Sequence, residues 1–334
     1  MTKEKALSLL ESGGTKYLSL PQGLQVDRDV VLKSLEYSCD SCENIGEFFS
    51  DDAEVILKAN SLWGRQISIL QKLSPRLKAD MGFAEKLKVA LPNGSFLSFL
   101  DSSIQDSKEF VLSYLSFAKR EGLIFVSERL RDDEEVVEKA VHMSEAWQLR
   151  YASERLRGDK AFLSQFFERG TYAYKYATRA LKLDRDFAKK AFSFNGACLE
   201  YSPFKNSPEL VNIALANNPQ ALVFASKRFR RNRDLVKNAL NSSPFLLNCS
   251  TEWRKDPEFV LLALEKNTSV AIVVDESLFN DRTFMFDAYK RGLVSIVEGW
   301  MGDDLRNDLA FLLRIKMGLG HYDMPVVNYK KKAH

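Results

Sequence analysis

Histidine is nearly missing from this chain: 334 residues hold three, His142, His321 and His334. So few and so scattered, they supply no Ser/His/Asp or Cys/His set and no HExxH zinc motif. Cysteine is almost as rare, and four residues make no disulfide scaffold. Cys39 and Cys42 form a CxxC, yet Cys198 and Cys249 stand alone and no histidine lies near the pair. That is half of a four-ligand zinc site, and two ordinary thiols at a helix end are the simpler reading. No apolar run reaches the about 18 residues that span a bilayer, and the start MTKEKALSLLESGG lacks the apolar core of a secretory signal. A reducing cytoplasm, of the producing cell or of a target cell, is the expected location. A net charge of +3 over this length excludes a strong whole-molecule field toward nucleic acid or anionic lipid. Neither a GxxxxGK[ST] loop nor a GxGxxG occurs, GLGHYD at Gly318 being no match, so no cofactor or metal is expected and the chain does not read as an enzyme.

What the chain has instead is a period. An aspartate or a substitute returns about every 25 residues, at Asp27, Asp52, Asp80, Ser107, Asp133, Asp159, Asp184, Ser207, Asn232, Asp256, Asp281 and, by spacing, Asp304. Asp, Asn and Ser accept hydrogen bonds from the free amides at a helix start, so these anchors read as N-caps. Pro208 and Pro257 follow their anchors at the one helical position where a missing N–H is harmless. Acids two places on, such as Asp29, Glu135, Asp186, Glu209, Asp234 and Glu258, suit the positive helix end. Acidic pairs such as Asp51 with Asp52 are, in register, caps and first-turn acids, not a metal or acid–base site.

Apolar residues then fall three, four, seven and eight places past each anchor, as in Val136, Val137, Ala140 and Val141, which is one stripe on a helix. The third stripe position is small at Ser34, Ala59, Ala140, Ala191, Ala214, Ala239, Ala263 and Ala288, letting neighbouring helices approach; Leu87, Tyr114 and Phe166 break the rule and predict less regular early and middle packing. Eleven places past the anchor, Gly170, Asn195, Asn218, Asn267 and Gly292 suit a left-handed helix end. A shorter apolar segment follows, and Ser74, Ser127, Ser153, Thr178, Ser226 or Ser250, six places before the next anchor, caps one further turn. Each repeat is thus expected to be two short helical pieces plus a turn.

The strings SERLRDDEEVVEKAV, SERLRGDKAFLSQF and SKRFRRNRDLVKNAL resemble the bacterial tandem-repeat family called domain of unknown function 4116. The resemblance is clear from about Phe125 to about Phe286 and weak before Asp80; repeat seven is shortened to YSPFKNS, and Asp275 stands where a serine is usual. It implies an all-helical array of a kind often found in bacterial and phage proteins, some from intracellular pathogens, and it implies no activity. The expected fold is all-α, an α-solenoid of about twelve repeats of about 25 residues, because a single repeat cannot bury its stripe alone. One array over 1–313 is expected, its repeats divergent over 1–79 and more regular over 80–313, with a basic tail over 314–334.

Two places before the anchors stand Lys78, Arg131, Arg157, Lys182, Lys205, Arg230 and Arg254, with Gln25 and Gln105 in weaker units. In a stacked array they form a ladder in which each cation faces a helix C-terminal end and the next capping acid. From Lys227 to Arg233 the sequence KRFRRNR holds five cations around a neutral anchor, so the local acid is missing. With Phe229 assigned to the core, candidate partner-binding residues are Lys182, Lys205, Lys227, Arg228, Arg230, Arg231, Arg233, Arg254 and Lys255. The expected function is a non-enzymatic scaffold that presents an extended surface to a protein partner. Binding of RNA or DNA along the basic ladder is the alternative, and an effector or phage protein acting on a host protein is a third; no membrane partner is expected.

Overall fold

In the computed structural model the described residues are 1–37, 48–63, 67–91, 96–117, 122–144, 146–169 and 171–317. Cys39, Cys42, Gly170, His321, His334 and the tail from 318 onward lie outside them. Every element among the described residues is a helix. None of these helices is long and apolar enough to cross a membrane. The chain divides into two compact units, Met1–Leu181 and Lys182–His334.

A repeat contains three helical pieces. After Asp133 come the α-helix Glu134–Ser144, the 3-10 helix Ala146–Tyr151 and the one-turn helix Glu154–Gly158. In this repeat the second apolar segment, expected to be a plain helical piece, is a tighter 3-10 turn, and the extra turn before the next anchor is a helix in its own right. The corresponding segments Ile67–Gln71 and Ala173–Tyr176 stay α-helical. A 3-10 helix rises faster per residue, so six residues span the repeat and return the chain to the next cap.

The anchors do cap. Asp27, Asp80, Asp159, Asp184, Asn232, Asp256 and Asp281 each accept a backbone N–H two or three residues on, and Asp52 and Asp133 do the same. Each such bond stabilises its helix by about 1 kcal/mol. Ser107 and Ser207 hold the capping backbone position without a side-chain cap bond; the Ser207 hydroxyl accepts from Arg185 Nη2 at 3.3 Å instead. The last anchor is Asp308 and not Asp304. Asp308 accepts from Phe311 N at 3.0 Å, whereas Asp304 lies inside the one-turn helix Asp303–Arg306. The reason is frame: GDDLRND from Gly302 aligns with SERLRDD from Ser127, which puts Asp304 on Arg129 and Asp308 on Asp133.

The stripes form the core of each unit. Val136, Val137, Ala140, Phe187, Ala188, Ala191 and Phe192 are fully removed from solvent. Burying one valine contributes roughly 1.5 kcal/mol, so the stripes together outweigh any surface term. The small third position is buried at Ser34, Ala59, Ala140, Ala191, Ala214, Ala239, Ala263 and Ala288. Where Phe166 replaces it, the α-helix Lys160–Ser164 ends after five residues and a 3-10 turn, Phe167–Arg169, takes over.

Asn195, Asn218 and Asn267 correct the expectation of a left-handed end. Their φ values are −147°, −143° and −158°, all extended. Each N–H closes its own helix on the carbonyl of Ala191, Ala214 or Ala263, and each side chain then caps the following 3-10 helix through the amide two residues on. One asparagine thus ends one helix and starts the next. Among the described members of the expected set, Gly292 is the left-handed one, with φ +76°.

Candidate interaction surface

Successive repeats are tied by one recurring backbone bond. The amides of Ser74, Asp101, Ser127, Ser153, Thr178, Ser226, Asp275 and Gly302 donate to the carbonyls of Ser50, Lys78, Gln105, Arg131, Arg157, Lys205, Arg254 and Phe279 at 2.8–3.1 Å. Every acceptor sits two places before an anchor, at the ladder position. At Arg230 the backbone donor is exchanged for a side chain, the Trp253 indole Nε1 reaching the carbonyl at 2.6 Å. A buried carbonyl without a donor costs about 1–3 kcal/mol, which accounts for a tryptophan in a repeat whose Ser250 is out of place.

The side chains of the ladder turn inward. Arg157 Nε donates to Ala152 O at 3.1 Å and Arg230 Nη1 to Cys249 O at 3.1 Å. Gln25 Nε2 reaches Leu18 O and Leu20 O, and Gln105 Nε2 reaches Leu97 O and Leu100 O. The position wants a long donor for the free carbonyls at a 3-10 end, which glutamine meets as well as arginine. Lys78, Lys182, Lys205 and Arg254 are likewise half-buried. At Arg157 and Arg230 these carbonyl bonds take the place of the expected pairing with the capping acids.

The capping acids pair with cations one place past the previous anchor, a pattern the sequence reading passed over. Arg28 bridges Asp52 and Glu54, Lys108 bridges Asp133 and Glu135, and Arg233 bridges Asp256 and Glu258. Arg282 does the same to Asp308. Asp256 holds the Arg233 guanidinium above its ordinary range.

A second clasp uses the residue just before an anchor. Asp132 accepts from the Ser153 hydroxyl and from Arg155 Nε at 2.9 Å, while Arg155 Nη2 meets the Asp132 carbonyl at 2.6 Å. Asp51 with Ser74 and Arg76, and Asp106 with Ser127 and Arg129, repeat this arrangement. The serine hydroxyl, then the arginine, holds Asp51 and Asp106 below the usual carboxylate range, and Asp132 is lowered first by Ser153. At three other junctions the pair changes together: Ala79 faces a repeat with Ser103, Gly158 one with Ala180, and at Arg231 the signs are reversed, an ion pair to Glu252. The signal was in the sequence as two positions 23 to 25 residues apart that vary jointly, Asp106 and Arg129 or Asp51 and Arg76.

These clasps correct the picture of the KRFRRNR segment. Its acids are not missing; the following repeat supplies them. Arg231 pairs with Glu252, Arg233 with Asp256 and Glu258, and Lys255 with Asp275 at 3.5 Å. Arg230 is turned inward, and Phe229 is buried as expected. Lys227 and Arg228 remain exposed with no carboxylate beside them. His142 lies 3.1 Å from Glu138 and edge-on to the Phe166 ring, a structural setting. Burial pushes the Cys198 and Cys249 thiols up to about 12 and about 11, away from reactivity.

One surface of the second unit is nearly free of charge. Its four six-residue 3-10 helices, Gly196–Tyr201, Pro219–Phe224, Pro244–Cys249 and Thr268–Val273, pack each on the next, and Glu200 is their single charged residue. Residues three apart eclipse on such a helix. Gln220 with Val223, Phe245 with Asn248, and Ser269 with Ile272 therefore share an outward face, and all six are exposed. Neither the anchors nor the cation ladder of the sequence points to this face.

Two adjacent stretches, residues 184–230 and 232–272, match the family model described as Domain of unknown function (DUF4116). Each match opens on an anchor, Asp184 or Asn232, and the first takes in two anchors of the 25-residue period. The matched region is narrower than the expected Phe125–Phe286 and lies wholly in the second unit. Comparisons with curated proteins and with solved structures return no match.

Proposed function

We propose that this chain, whose second unit carries two matches to that domain of unknown function, is a non-enzymatic scaffold that binds a protein partner. Its repeats, about twelve in our reading, follow one another as an α-solenoid. The observation that carries the binding reading is the uncharged 3-10 face of the second unit. Charged residues are depleted at the cores of protein interfaces, and aromatic side chains are enriched there. The long helices show the opposite character, with caps and clasps that spend charged residues on one another at about 0–1 kcal/mol per exposed pair. A surface that leaves Val223, Phe245 and Ile272 in solvent, 39%, 47% and 73% exposed, gains by being covered.

The reading of the ladder as a nucleic-acid track is weakened, because Arg157 and Arg230 bond to carbonyls and the neighbouring Arg231 and Arg233 are paired. The deciding experiment is affinity capture from the native cell type with wild type beside Val223→Glu/Ile272→Glu. The proposal expects a defined set of proteins retained by wild type and lost from the variant at unchanged melting temperature. An identical set on both baits contradicts it, and so does turnover of a substrate by the purified protein.

A further inference from the structure

Arg228 is the one clasp arginine among the described junctions that has lost its acid. Arg76, Arg129 and Arg155 each hold an aspartate carboxylate through Nε and its backbone carbonyl through Nη2. At the Arg228 junction the carboxylate position is Asn206. The backbone leg survives, Arg228 Nη2 to Asn206 O at 3.4 Å, and Ser226 Oγ still donates to Asn206 Oδ1 at 3.0 Å. The Nε leg is gone, since an amide offers one neutral oxygen where a carboxylate offers two charged ones.

The surroundings compound the imbalance. Between the serine and the arginine the other three junctions carry Pro75, Glu128 and Glu154; this one carries Lys227. Lys227 makes no ion pair among the described residues, and the Arg228 guanidinium rests 4.7 Å from the centre of the Phe229 ring. The fork is thus oriented by a carbonyl on one side and a ring on the other, with its anion partner absent. Pre-positioned guanidinium groups of this kind are strong, directional receptors for carboxylates.

We infer that Arg228, with Lys227, is an open seat for an acidic side chain of a protein partner, a conclusion that rests on the partner-binding reading above. The carboxylate would take the place that Asp51, Asp106 and Asp132 fill at their own junctions. A nucleic acid would need a run of free cations to follow its backbone. The next cations along the chain, Arg231 and Arg233, are already committed to Glu252, Asp256 and Glu258. An acidic side chain needs only the one fork.

The test follows the Arg228 Nε–H resonance of full-length protein by NMR at low salt while a hexaglutamate peptide is added, with inorganic phosphate and a ten-nucleotide single-stranded RNA as parallel titrants. Hexaglutamate should shift the resonance saturably. Asn206→Asp, which restores the internal carboxylate, should move it before any peptide is added and weaken the response at least about tenfold. Arg228→Ala should weaken the peptide response seen at the Lys227 amide to the same degree. Asp106→Asn should in turn open a second seat at Arg129, whose ion-pair partner is Asp106. An unchanged response in Asn206→Asp overturns the proposal, and so does a stronger response to RNA or phosphate than to hexaglutamate. The titration reads the seat alone and protein capture reads partner binding, so either reading can fail while the other stands.

Discussion

Both units close junctions with backbone bonds, but the first adds Asp–Ser–Arg clasps and the second does not. Three Asp–Ser–Arg clasps, at Asp51, Asp106 and Asp132, all lie in the first unit. The corresponding positions of the second unit hold Asn206, Arg231, Lys255 and Asn280, no two of which make the same contact. The 3-10 layer shows the reverse. Four of its helices in the second unit have six residues each, whereas in the first Tyr17–Ser19, Leu97–Phe99, Gly122–Phe125 and Ala146–Tyr151 run from three to six residues. The family match falls in the unit with regular backbone and irregular clasps. What recurs there is the set of caps, small residues and buried positions that shape the chain, and the ionic clasps are decoration that can be lost or reversed. Where one is lost, a charged group becomes available.

The largest effect should come from the tightest backbone approach in the regular unit. A Cβ on Gly196 would stand 2.1 Å from the Ala214 carbonyl oxygen. Gly196→Ala should therefore lower stability by about 3 kcal/mol in urea unfolding. Gly23→Ala, whose Cβ meets nothing within 4 Å, should stabilise slightly and serves as the control. Equal midpoints for the two variants would mean that the second unit is not built on close repeat contact.

Next in size is the junction that replaced its backbone donor. Trp253→Phe keeps the ring against Phe259 but removes the donor to Arg230 O. The expected cost is about 1–2 kcal/mol by thermal unfolding. A neutral result would show that the junction bond carries no stability where the backbone amide is missing.

Much of this was legible in the sequence and some was read wrongly for physical reasons. The caps and the small third position follow from helix geometry and needed no structure. Asn218 was open to a better reading, because Pro219 follows it and a residue before proline is pushed to extended backbone. Asn195 and Asn267 offered no such clue, since asparagine serves both a left-handed end and a cap. Asp304 was placed by interval alone; the leucine at Leu305 marks the one-turn helix and moves the anchor to Asp308. The clasps were hidden because each joins two repeats, and a residue-by-residue reading treats Asp51 and Arg76 as unrelated surface charges.

Acid should separate the two units. Asp51, Asp106 and Asp132 titrate below their ordinary range when folded, so their contribution is present above the unfolded value of about 3.9 and is lost as pH falls through the folded values. Melting temperature should fall as pH drops below about 4. Asp51→Asn/Asp106→Asn/Asp132→Asn should flatten that limb while lowering stability modestly at neutral pH. A limb of unchanged slope would assign acid sensitivity to the cap acids instead.

The smallest effect is a gain. Asn206→Asp gives the second unit a clasp of the first-unit kind and should add roughly 0.5 kcal/mol, the usual yield of an exposed pair, visible as a higher melting temperature that salt reduces. A loss of stability would mean that Arg228 is not aligned for a carboxylate.

Amide hydrogen exchange tests most directly the claim that one backbone bond joins repeat to repeat. Ser74, Asp101, Ser127, Ser153, Thr178, Ser226, Asp275 and Gly302 donate across a junction, whereas the Ser250 amide, at the same place in its repeat, does not. The account predicts slow exchange at those eight positions and exchange at least about tenfold faster at Ser250. Equal protection at Ser250 and its eight counterparts would contradict it.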